Sequence, residues 1–100
     1  MRPSIEQAVD LLVQREEVRL HSENSVTIAL SGLRRLDGDT FTGRGPRIRL
    51  SLEQPWHARL LIGELVFTID IAIAGCTVGE ICSTVTATAT GVVEAPVRRA

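Results

Sequence analysis

The chain has no lysine and no tyrosine, a single tryptophan, two phenylalanines and two cysteines. Each scarcity narrows the field. A formal net charge of -1 gives no overall attraction to nucleic acid or to an anionic membrane, so any such contact needs a local patch. Aromatic residues at 3% leave little for unstacked bases to lie on. Cys76 and Cys82 form a C-x5-C pair with no second ligand pair. That is not a zinc spacing, so no metal site is expected. The opening segment MRPSIEQAVD lacks the apolar core of a signal peptide, and no stretch reaches the roughly 20 apolar residues a membrane-spanning helix needs. The expectation is a soluble, cytoplasmic protein with reduced thiols and no membrane contact. Because arginine supplies every basic residue, the composition reads as coding bias and carries no mechanism.

What is present is a globular composition, 44% apolar and 23% charged, in a length that suits one domain spanning residues 1–100. In PSIEQAVDLLVQREEV, Ser4 and Gln7 have capping-box spacing, and Ile5, Ala8, Val9 and Leu12 recur at helical intervals. The pattern predicts an amphipathic helix from residue 4 to about 17, followed by a turn at HSENS. From Val26 onward the period becomes two. Val26, Ile28 and Leu30 define one strand and Ile48, Leu50 and Leu52 another, joined by a three-residue turn at Asp37–Asp39 that sets Ile28 opposite Ile48. Gly43, Gly45 and Pro46 predict a bulge or loose loop within the pairing.

The segment RLLIGELVFTIDIAIAG reads as one long strand with Leu61, Leu65, Phe67, Ile69, Ile71 and Ile73 facing the core. A turn at VGE then sets Ile73 opposite Val85, Ile71 opposite Ala87 and Ile69 opposite Ala89, so large side chains face small ones. The small residues leave a trough that the helix alone is available to fill. The expected fold is α+β, one N-terminal amphipathic helix packed on a four-stranded antiparallel meander. In general shape this order is similar to cystatin-like and hotdog-like folds. That likeness implies a small-ligand, acyl-handling protein or enzyme, with Asp70 or Glu64 as its carboxylate.

The outward face of the last hairpin carries few charges for an open sheet. Val66, Thr68, Ala72, Ala74, Thr84, Thr86, Thr88 and Thr90 are therefore the candidate partner interface of a non-catalytic module that self-associates or docks on another protein. The alternative is a nucleic-acid or phosphate patch at Arg34, Arg35, Arg44, Arg47 and Arg49, five arginines against Asp37 and Asp39, with Gly43 and Gly45 letting backbone N–H groups approach a phosphate. The glycine spacing matches neither a P-loop nor a dinucleotide fingerprint, and no cofactor is expected. His21 and His57 show no spacing to an acid and a nucleophile that would make a catalytic triad, so no catalytic residue is assigned.

Overall fold

A computed structural model describes residues 2–49, 55–74 and 81–95, with side chains at 2–45, 55–73 and 84–94. The elements are helix α1 (Ile5–Val13) and strands β1 (Glu17–Ser22), β2 (Thr27–Arg35), β3 (Thr40–Arg49), β4 (Trp56–Ile62), β5 (Leu65–Ala74) and β6 (Ile81–Ala95). The strands close into an antiparallel barrel in the order β1-β2-β3-β6-β5-β4. This overturns the four-stranded meander and the α+β class built on it. The protein is mostly β, with one short helix. No helix among the described residues is long and apolar enough to cross a membrane.

Two strands escaped the reading of the sequence, each for a local reason. The helix stops at Val13, capped at Ser4 by the expected box: the Ser4 hydroxyl accepts from the Gln7 amide, and the Gln7 side chain accepts from the Ser4 amide. Residues 17–22 then alternate, with Val18 and Leu20 buried between Glu17, Arg19 and His21. Such a short alternation is easily absorbed into the end of a helical pattern. The supposed long third strand is really β4 and β5, joined by a two-residue turn at Gly63 and Glu64. Gly63 sits at φ 60, and among the described non-glycine residues only Ser25 has a positive φ, so the turn has its left-handed residue at the first central position, as type II′ hairpins require. The hairpin moves the buried set onto Trp56, Ala58 and Leu60, and leaves Leu61, expected in the core, 61% exposed.

Bulges set the rest of the register. The β2–β3 turn pairs Arg34 with Thr42 and Arg35 with Phe41, as a three-residue loop at 37–39 dictates, and the register then slips between Arg34 and Ser31. Gly32, at φ 60, lies in the slip. Inward positions change there from even-numbered Ile28 and Leu30 to odd-numbered Leu33, as one extra residue in a strand demands. The β3–β6 ladder shifts between Arg44 and Ile48, across the Gly45–Pro46 step. In β5–β6, Ile71 faces Ala89 and Ile73 faces Ala87, two residues from the expected register but on the same face. A second slip between Ile71 and Asp70 then turns Val92 inward, where outward placement was expected.

Side chains fill the barrel. Trp56, Phe41, Phe67, Leu20, Ile28, Leu30, Leu60, Ile69 and Ile71 are buried around the small Val85, Ala87 and Ala89 of β6. Helix α1 packs on β6, β2, β3 and β4, with Ala8, Val9 and Leu12 fully buried. Its polar side is tied to the β2–β3 turn. The Arg35 guanidinium lies 3.5 Å from the Asp10 carboxylate and donates to the Asp37, Gly38 and Glu6 carbonyls. The helix therefore closes one end of the barrel.

Candidate functional site

The outer surface brings together residues that the sequence keeps apart. Over β3, β6 and β5, one cross-strand row is Thr40, Thr88 and Ala72, and the next is Thr42, Thr86 and the Ala74 position. The hydroxyls of Thr40 and Thr88 are 3.3 Å apart, and Thr42 Oγ1 donates to the Val85 carbonyl at 2.9 Å. Outward-facing threonines can satisfy their hydroxyls on the sheet itself, so the face needs no charged side chain to stay hydrogen-bonded. Of the expected interface residues, Ala72, Thr84, Thr86, Thr88 and Thr90 lie on this face. Ala74 lies on it by backbone position alone, because its side chain falls outside the description. Val66 and Thr68 belong to a separate area, where Val66 pairs with Leu61 and Thr68 with Arg59 and Val93.

The arginine segment is divided rather than gathered. The bulge in β2 turns Arg34 outward beside Thr42 and Arg35 toward α1, where its guanidinium holds the helix. Arg44 pairs with Thr84 at the rim of the threonine face. Gly43 is buried against the core, and a Cβ there would stand 2.9 Å from Leu33 Cδ2 and 3.1 Å from Leu30 Cβ. Its missing side chain thus admits the neighbouring strand rather than a phosphate. Arg47, Arg49 and Cys82 are located by backbone only, and Cys76 lies outside the described residues, so a Cys76–Cys82 pairing falls outside the description.

A third arrangement comes from barrel closure. His21 on β1 pairs directly with His57 on β4, and His57 pairs with Asp70 on β5. His57 Nδ1 donates to Asp70 Oδ1 at 3.0 Å, and His21 Nδ1 shares a 3.0 Å hydrogen bond with Thr27 Oγ1 on β2. Asp70 in turn faces Gly91, where a Cβ would come within 3.0 Å of Asp70 Oδ2. A cross-strand row thus runs from Thr27 through His21 and His57 to Asp70, with a side-chain hydrogen bond within each end pair. The His57–Asp70 pair orients an imidazole as the last two members of a catalytic triad do, but no described hydroxyl or thiol is bonded to the ring as a nucleophile. Sequence spacing cannot reveal this row, since the histidines lie 36 positions apart and β1 directly follows the helical pattern. Among the described residues, no group of three or more His, Cys, Asp or Glu side chains is placed to hold a metal ion.

An open groove of about 390 Å³ runs beside the helix, lined by Arg2, Pro3, Gln7, Asp10, Leu11 and Ile62. It lies on the outside of the helix, away from both the threonine face and the histidine row. Compared with protein families, curated proteins and solved structures, the chain matches none.

Proposed function

We propose that the protein is a non-catalytic interaction module that self-associates through the outer face of β3, β6 and β5. The observation that carries this reading is the contiguous run of Thr40, Thr42, Ala72, Thr86 and Thr88, with charged residues only at its margins. Those margins are complementary. Arg44, beside Thr84, and Asp70, beside Gly91, stand at diagonally opposite corners of the face. Two copies can pack face to face about an in-plane two-fold axis perpendicular to the line that joins these corners. Each Arg44 then meets the Asp70 of the second copy, and the uncharged centres meet each other, as a self-complementary two-fold contact requires.

Sedimentation equilibrium at micromolar concentration tests it. Species heavier than the 10.9 kDa chain are expected. Arg44→Asp and Asp70→Arg should each weaken association, and the double reversal should restore it. A monomer at every concentration, or association indifferent to both reversals, overturns the reading.

A further inference from the structure

We propose that His21 and His57 form a two-histidine binding site for a divalent transition-metal ion of borderline softness, zinc being the reference case, across the seam that closes the barrel. The two are Cα partners in the β1–β4 ladder, which places their Cβ atoms about 4.5–5.5 Å apart on the outer face. Their Nδ1 atoms are turned away from each other. His57 Nδ1 reaches to Asp70 on β5, and His21 Nδ1 reaches to Thr27 on β2, in opposite directions along the sheet. Each Nε2 lies on the far side of its ring from the engaged Nδ1, which leaves both Nε2 atoms on the outer surface flanking the seam. Neither Nε2 has a hydrogen-bond partner among the described residues.

The protonation pattern suits a metal. An ionised carboxylate only accepts hydrogen bonds, so His57 carries its proton on Nδ1 and presents the Nε2 lone pair outward. The Thr27 hydroxyl can accept from His21 Nδ1 as readily as donate to it, so the second ring is free to take the same tautomer when an ion binds. A carboxylate behind a ligating histidine is the usual outer shell of such sites, where it fixes the ring and raises its basicity. Neutral imidazoles favour zinc, copper or nickel over magnesium or calcium, and water completes the coordination because no third protein ligand converges there among the described residues. The position also has a mechanical consequence. Among the described residues β1 and β4 pair only at His21 with His57 and Ser22 with Trp56, so an ion held by both strands staples the shortest ladder in the barrel.

The experiment is a calorimetric titration of the full chain, free of any affinity tag, with zinc chloride, alongside thermal melts and amide hydrogen exchange. Magnesium chloride and inorganic phosphate serve as comparison probes. One zinc per chain is expected, with a higher Tm and slower exchange at the β1–β4 amides. His21→Asn and His57→Asn should each lower affinity at least tenfold. Asp70→Asn, which removes no ligand, should lower it by roughly 10–100-fold, the usual cost of losing an outer-shell partner. All three side chains lie on the barrel exterior, and circular dichroism establishes that each variant is folded. Unchanged zinc affinity in either histidine variant, an equal response to magnesium, or binding of phosphate without binding of zinc overturns the proposal.

Discussion

Ala87 and Ala89 are buried opposite Ile73 and Ile71, on a strand that the helix also contacts. Ala89 is 2% exposed, and a leucine there must displace packed neighbours. Overpacking of this kind costs about 1–3 kcal/mol. At roughly 4–8 °C of Tm per kcal/mol in a domain this size, Ala89→Leu should be plain in a thermal melt. Thr88, one residue away, points outward between Thr40 and Ala72. Thr88→Leu should therefore leave the melt within about 0.5 kcal/mol of the parent, the usual range for a surface change. Its effect should appear in sedimentation instead, as altered association. Equal destabilisation by the two variants would mean that both faces of β6 are buried within one chain. Trp56, 2% exposed and the sole tryptophan, supplies the fluorescence signal for these melts. Its Nε1 is buried without a partner among the described residues.

The helix is the element whose contribution divides most cleanly into parts. Leu12 is fully buried at the barrel end, and Leu12→Ala should cost about 2–5 kcal/mol through lost burial and the cavity left behind. The Ser4 cap satisfies an amide that the helix cannot, and Ser4→Ala should cost about 1 kcal/mol. The Arg35–Asp10 contact joins side chains that are 36% and 55% exposed, so solvent screens it and the ion pair itself adds at most about 1 kcal/mol. Arg35 also donates to two carbonyls of the β2–β3 turn. Arg35→Ala should therefore lower Tm measurably, whereas Arg34→Ala, on the outer face, should not. Equal losses from the two arginines would contradict the inward and outward assignment that the bulge at Gly32 creates.

At the scale of the whole molecule, closure removes the exposed edges that an open four-stranded sheet would present, and with them the simplest route to edge-to-edge aggregation. The closure is uneven. Among the described residues β5 pairs with β6 along nine residue pairs and with β4 along seven, whereas β1 meets β4 at two. Beyond those two pairs no further β1–β4 pairing is present among the described residues, and Arg15 of the segment after α1 donates to the Arg59 carbonyl on β4 at 3.4 Å. Native-state hydrogen exchange should therefore show the β1–β4 amides opening first and the β5–β6 amides only at global unfolding. Uniform protection around the barrel would refute that order.

The sequence alone determined what depends on near neighbours. The capping box at Ser4 and Gln7, the three-residue turn at Asp37–Asp39, the inward alternation of Phe67 to Ile73, and the small-residue face of β6 follow from spacing and side-chain size. They are local, and local rules suffice for them. The number of strands was not so determined. The alternation in residues 17–22 is too short to outweigh the helical pattern before it, and a lone glycine at 63 inside an apolar run does not declare a hairpin. Bulges are harder still, because one extra residue at Gly32 or near Gly91 exchanges inside for outside along the rest of a strand, and only packing selects that register. The tertiary structure therefore decided that Arg35 holds the helix while Arg34 faces solvent, and that Val92 is core. It also placed the threonines of β3 beside those of β6. The His21–His57–Asp70 row lies furthest from the sequence, since it exists only because the first strand returns to close on the fourth. Closure of a barrel is a property of the whole sheet, set by its accumulated twist and stagger, and no window along the chain contains it.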